Sequence, residues 1–484
     1  ADGTTAVGYA ALAANISGVG NTAVGYQALD AGDDADYNTA IGYQALTAQI
    51  GVDGTVANTA VGYRAGKAIT SGVRNTALGS FALASAQDVD STVIIGQGAC
   101  ENGNMTNGAD GTVAVGRNAL LSLISGANNL AVGFSVLQHC VDGVGNIGIG
   151  SGALDDWDVG GGTSTTVDGS SHNVMIGLDA GGGAWTNVQS NYNVGIGSFC
   201  MDAAMNGALN NTAVGYNAAS AIVNADNGVY IGFQAGLANV SGGNSTIIGY
   251  NAGSTATDLD QAVLVGAGAG QSMTSGDKTV AVGYNALNVL EDGLGNTAVG
   301  WQAGDSLTTG AENTMIGYNC DVYSNDNTNN IVLGNNFSGT DVDSAVFIGN
   351  DTRHIRCDYG SDQTWDAGSD ERIKNVTGDS PLGLDFLNEF PIITYNWKAP
   401  SEYPEEFNDY NADETEPTDT LQHHGVTAQS VKAALDKIDG VTDFSGWDEN
   451  TDGMQTIGES AFVWPLIKAV QELSAKVEAL EDAQ

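Results

Sequence analysis

The chain has 484 residues, 68 of them glycine and only 15% charged, and its 57 Asp plus Glu against 14 Lys plus Arg leave a net charge of −43. That balance excludes nucleic acid and anionic membrane as partners, because both would repel it. No apolar run reaches the roughly 18 residues of a membrane span, so no membrane insertion is expected. The opening Ala1-Asp2-Gly3 lacks the basic and apolar regions of a leader, and the chain reads as starting inside a longer or processed protein.

The first feature in chain order is a repeat. The phrase NTAVGYQAL at Asn21–Leu29 returns as NTAIGYQAL at Asn38–Leu46, NTAVGYRAG at Asn58–Gly66 and NTAVGWQAG at Asn296–Gly304. Aligned on its central glycine it occurs 20 times between Gly8 and Gly349, most often at a step of 17 residues. A fixed period of this size predicts a solenoid, whose units bury their apolar side only by stacking on their neighbours. The longest step, 27 residues from Gly150 to Gly177, holds Trp157 and a GGGTSTT turn, and is expected to form a contact surface.

Within each unit, the residues before the glycine read as a short β-strand whose alternation sends Ala to one face and Thr and Val to the other. Three residues past the glycine, Ala fills 15 of the 20 units and Cys200 and Cys320 take the same column, which predicts a crowded interior and two small buried thiols. Asn stands four residues before the glycine in 12 units, where its tolerance of left-handed geometry predicts a turn residue. The residue after the glycine is aromatic in 11 units, from Tyr9 to Tyr318. Such a ladder suits sugar stacking or packing, within the coil or between chains, and packing is the reading adopted. At about 4.8 Å per unit the array predicts a rod on the order of 95 Å long.

Five cysteines, Cys100, Cys140, Cys200, Cys320 and Cys357, are widely spaced with no CxxC or Cys/His pattern, so neither a zinc site nor a disulfide framework is read. The acidic stretch at residues 402–419 lacks the spacing and glycine of an EF-hand and reads as a solvated loop. No metal and no cofactor is expected.

From about residue 4 to 350 this array resembles the head repeats of trimeric bacterial adhesins, left-handed β-rolls with an NxxAxG-like core, and similar repeats in virus tail fibres. The period here is longer than the adhesin unit, and no amphipathic strands of a membrane anchor are read after it. The resemblance implies a mainly β fold, a trimeric β-solenoid shaft of about 20 repeats.

Past Gly349 the repeat stops; all six prolines lie from Pro381 onward and half of the basic residues follow Cys357. Residues 1–350 thus read as shaft, 351–368 as connector, and 369–484 as a small α/β domain. Its last segment, 460–482, predicts a helix in which Val463, Leu466, Val470, Leu473, Val477 and Leu480 recur at three and four residues, the seam of a coiled coil. Ser460 is the expected N-cap and Pro465 fits the first turn.

Three pieces of this domain, SDERIK at Ser369–Lys374 leading into LGLDFLNEFPIITYNWK at Leu382–Lys398, HHGVTAQSVKAAL at His423–Leu435, and the final helix, resemble in order and spacing the S74 peptidase family, the intramolecular chaperone of phage tail fibres and tailspikes. The resemblance implies self-cleavage before Ser369, with Ser369 as nucleophile and Lys374 as base, Asp370 and Arg372 ordering the loop, and His424 in a supporting role. It further implies a homotrimeric virion tail fibre, made in the host cytoplasm, that binds a host cell-surface receptor of glycan or protein and joins other tail or baseplate proteins. A tailspike enzyme that degrades host polysaccharide and a cell-surface adhesin are the alternatives.

Overall fold

The computed structural model describes residues 3–32, 34–50, 54–155, 169–185, 188–338, 343–358, 378–407, 410–417, 419–439, 441, 444–450 and 453–483. The chain divides into two compact units, Ala1–Ala367 and Gly368–Gln484.

The first unit is a β-solenoid. Its 21-stranded sheet consists of twenty parallel strands, from Thr5–Val7 to Ala345–Asn350, closed by one antiparallel strand. Each parallel strand pairs in register with its successor, Thr22 on Thr39 and Ala23 on Ala40. The middle residue of each strand after the first is buried and its neighbours are partly exposed, the alternation read from T-A-V. The strands Ile147–Ile149 and Val174–Ile176 pair directly, so the 27-residue step leaves the register intact. Trp157 and the turn beside it lie outside the described residues.

The glycine column is steric. Gly133 sits at φ +142°, and a Cβ on it would lie 2.5 Å from the carbonyl oxygen of Gly150, the same glycine one rung on. Each rung turns its corner so close to the next that only a hydrogen fits.

The asparagine column does something other than what its residue type suggests. None of the twelve Asn lies in the left-handed region; that conformation belongs to the residue before it, whether Tyr37, Arg74, His172 or Glu312, each at φ 59–61°. The Asn side chains are instead buried and form a ladder. The N–H of Asn38 donates to Oδ1 of Asn21 (2.8 Å), that of Asn58 to Asn38 (2.9 Å), and that of Asn75 to Asn58 (2.8 Å). Most of the amides also reach across their own coil, as Asn211 Nδ2 donates to the Ala225 carbonyl (2.6 Å). A buried backbone N–H that the strand leaves unpaired thus finds its acceptor in the previous rung.

Cys200 and Cys320 are fully buried, as their column predicted. Burial pushes their thiols up to about 12 and about 11, which keeps them protonated and unreactive. Half of the rungs replace the inward Ala, and one of them carries the bulky Tyr230 there. Gly228 and Gly236 make room for it, since a Cβ on either would lie 2.5 Å from its Oη or 2.8 Å from its Cε1. Asn239 Nδ2 donates to that oxygen (2.7 Å), satisfying it in the core.

Part of the stretch read as connector is structured. Arg353–Asp358 folds back antiparallel on Ala345–Asn350, so that the last parallel strand does not end in an open edge.

Among the acidic side chains, Asp202 is pushed up to about 6, first by burial and then by Asp179 and Asp155 nearby. The folded carboxyl holds its proton to about pH 6 while the unfolded one releases it near 3.8, so stability falls as pH rises between these values and stays low above them. Asp202→Asn is therefore expected to raise the melting temperature at pH 7 and leave it unchanged at pH 4. The gain at neutral pH is about 1 kcal/mol, less than the full shift converts to because the carboxyl is partly in solvent; thermal melts at both pH values check it.

Candidate functional site

The second unit is small and built around aromatic rings. Helix α1 (Leu384–Asn388) brings Phe386 against Phe390, Phe444 and Phe462, with ring centroids 5.2 to 6.4 Å apart. Helix α2 (Ala428–Leu435) adds Val431 and Leu435 to this core; its first turn is capped by Thr427, whose Oγ1 accepts from the Ser430 N–H at 3.2 Å. Two hairpins complete the unit, Ile393–Tyr395 with His423–Gly425 and Trp447–Glu449 with Gln455–Ile457.

Ser369, Asp370, Arg372 and Lys374 lie outside the described residues. His424 is exposed on its strand, with Nδ1 3.3 Å from Thr394 Oγ1. Its neighbour His423 makes the denser contacts: Nε2 lies 2.8 Å from Asp419 Oδ2, and the ring stacks on Tyr395 at 5.4 Å with Trp397 edge-on at 6.4 Å. The backbone N–H of Leu421, followed by His423, holds the Asp419 carboxyl below its usual range. Sequence reasoning named only the second histidine of the pair. Period-two alternation was the available signal, since it places His423 and Tyr395, paired residues of the hairpin, on one face.

Helix α3 (Val463–Glu481) is entered through a tight 3-10 turn, Glu459–Phe462. Ser460 falls inside that turn and Phe462 takes the N-cap position, which corrects the expected cap; the aromatic core fixes Phe462 and so sets where the helix begins. Pro465 and Ala469 are buried, and Glu472 Oε2 accepts from the Leu384 N–H at the start of α1 (2.8 Å). An adjoining face carries the seam. Val463, Leu466, Val470, Leu473, Val477 and Leu480 are 46–68% exposed, an apolar stripe that no helix among the described residues covers.

In the first unit the aromatic column forms stacks, Tyr9-Tyr26-Tyr43-Tyr63, Tyr216-Phe233-Tyr250 and Tyr284-Trp301-Tyr318. Ring centroids are 4.9–6.0 Å apart and planes within 9–16° of parallel. Each inner ring spends both faces on its neighbours and shows solvent an edge. A sugar stacks on a face, so this geometry favours packing.

Among the described residues no His, Cys, Asp and Glu gather into a metal-binding group, and no helix is long and apolar enough to cross a membrane. No curated protein matches the chain. Residues 369–439, which run from the expected nucleophile through α2 and stop short of α3, match the family model Peptidase_S74, described as chaperone of endosialidase. The chain is a β-solenoid whose C-terminal unit is similar to the chaperone of endosialidase.

Proposed function

We propose that this protein is a structural fibre of a virus particle, a homotrimer in which three solenoids make a stiff shaft and the C-terminal unit gathers the three chains before the shaft folds. The observation that carries the reading is the chaperone-of-endosialidase match at residues 369–439, placed directly behind a long repeat array. The free apolar seam of α3 supports it, because a short helix with such a stripe becomes stable by pairing with others. The fibre attaches to a receptor on the host surface, of glycan or protein, and joins the tail or baseplate of the particle. Packing of the aromatic stacks edge-outward favours this structural role over a polysaccharide-degrading tailspike.

Self-cleavage is part of the proposal. The Ser369 hydroxyl attacks the carbonyl carbon of Gly368 while Lys374, as free amine, takes its proton; the Gly368–Ser369 C–N bond then breaks as the Ser369 amine leaves with that proton, the Gly368 acyl group stays as an ester on Ser369 Oγ, and water hydrolyses this ester to a Gly368 carboxylate and a free Ser369 hydroxyl, releasing the C-terminal unit. Asp370 and Arg372 order the loop, and His424 supports the neighbouring strand.

Intact and native mass spectrometry of wild type and Ser369→Ala tests both parts. The expected result is a wild-type trimer of chains ending at Gly368 and a full-length trimer of the variant. Uncleaved trimers in both would remove the catalytic role of Ser369 and leave the fibre; a monomer in both would overturn the fibre.

A further inference from the structure

We propose that the outward strand face of the solenoid, bordered by the aromatic column, is the surface along which parallel copies of this chain meet, rung against rung. The inference rests on the homotrimeric reading above and adds to it the face that is buried.

The position just before the corner glycine is Val, Ile or Leu in all 20 units. It points outward, since the residue preceding it fills the core, and side chains such as Ile41, Leu78, Ile196, Ile231 and Ile316 are 38–45% exposed. Strand propensity alone does not explain this column. Threonine is branched at Cβ and equally suited to a strand, and it serves in many units at the other outward position, yet it never stands here. A solvent-facing column that rejects every polar residue over the full length of a domain marks a covered surface.

Charge points the same way. None of the 57 acidic residues of the chain falls in the six columns that run from the asparagine ladder to the aromatic ring, and Arg117 is the one charged side chain there. Copies carrying a net charge of −43 repel one another, and approach each other at least cost along a strip that bears no acid.

The spacing selects the occupant. The face repeats a ridge at every rung, about 4.8 Å apart. A partner that fills the furrows along its whole length needs the same period, and a second copy of this chain, parallel and in register, has it by construction. The area suffices as well. Eleven aromatic side chains exposed by 41% or more, at roughly 200 Å² each, present on the order of 1,000 Å² before the aliphatic column is added. A standard interface takes about 800 Å² per partner.

The test places single cysteines in the full chain, in a Cys357→Ser background, since Cys100, Cys140, Cys200 and Cys320 are buried. Ile231→Cys lies on the proposed face; Asn224→Cys is exposed in the same coil, two residues from Asp226. Both are treated with a short bis-maleimide and resolved by denaturing electrophoresis, and the oligomeric state is read by native mass spectrometry. The expected result is an oligomer in which Ile231→Cys gives a cross-linked band of two chains and Asn224→Cys gives none. An oligomer in which Asn224→Cys cross-links and Ile231→Cys does not would overturn the assigned face and leave the homotrimer standing. A single chain in solution would overturn both. As a second reading, Ile231→Asp is expected to lower the melting temperature of the oligomer while keeping the far-UV β signal, and Asn224→Asp to leave it unchanged; equal melts for Ile231→Asp and wild type would overturn the face.

Discussion

Gly133→Ala is expected to cost more than about 4 kcal/mol, a loss at the extreme of single substitutions. Two independent effects combine. The backbone at φ +142° belongs to a region that only glycine occupies without strain. The added methyl would also lie 2.5 Å from the oxygen and 2.8 Å from the carbon of the Gly150 carbonyl, and 2.9 Å from Val136 Cγ2. Relief by movement is closed off, because the Gly150 N–H donates to Val132 (2.9 Å) and the Gly133 N–H to Val115 (2.8 Å), which tie the corner to both neighbouring rungs. A solenoid holds together through contacts between adjacent units, so the damage splits the stack at this rung. Thermal melting followed by circular dichroism should show a lower first transition, and limited proteolysis should cut near residue 133.

Asn211→Asp keeps the shape of the side chain and reverses one of its roles. Oδ1 of Asn211 accepts from the Gly228 N–H (2.8 Å), a role that a carboxylate fills equally well. Nδ2, however, donates to Asn193 Oδ1 (3.1 Å) and to the Ala225 carbonyl (2.6 Å). An ionised Asp would set an oxygen against both acceptors in a fully buried site, and the expected loss at pH 7 is about 3 kcal/mol. The protonated acid can still donate to one of them, so the folded pKa of the new side chain is raised above the unfolded value of about 3.9. The native state then holds a proton that the unfolded state has released, and stability falls as pH rises above about 4. Denaturant titrations at pH 4 and pH 7 should recover most of the loss at the lower value; an equal loss at both would show that the ladder position tolerates charge.

The solenoid was legible because steric exclusion leaves a mark in residue type. Only glycine fits the corner and small side chains fill most of the column three residues later, so period and strand position could both be read directly. The asparagine column misled because sequence shows that an amide recurs without showing which of its properties is selected. The left-handed residue is its predecessor, and that position accepts Arg74, His172 and Glu312 alike. Its conformation is imposed by rung-to-rung bonds such as Glu312 N–H to the Leu294 carbonyl (2.9 Å), which ask nothing of the side chain. In the C-terminal unit, the seam of α3 followed from spacing, whereas Ser369 and Lys374 were reached through a family resemblance alone; a serine and a lysine five residues apart carry no signal of their own. The contact of His423 with Asp419 spans only four residues, but of non-helical chain, where no regular periodicity brings residues four apart together.

The antiparallel strand Arg353–Asp358 and the odd rung at Tyr230 share a further consequence. A stack of units that share one backbone plan invites slippage: sliding one part of the chain by a whole unit restores most backbone bonds, so the alignment rests on the side chains that differ from rung to rung. Tyr230 opposes that slippage, because its ring fits only where Gly228 and Gly236 leave space and Asn239 meets its hydroxyl. The terminal strand does the same from the end, since it pairs with Ala345–Asn350 and so fixes which unit is last. Irregular rungs thus act as reference marks on a scale whose divisions share one spacing.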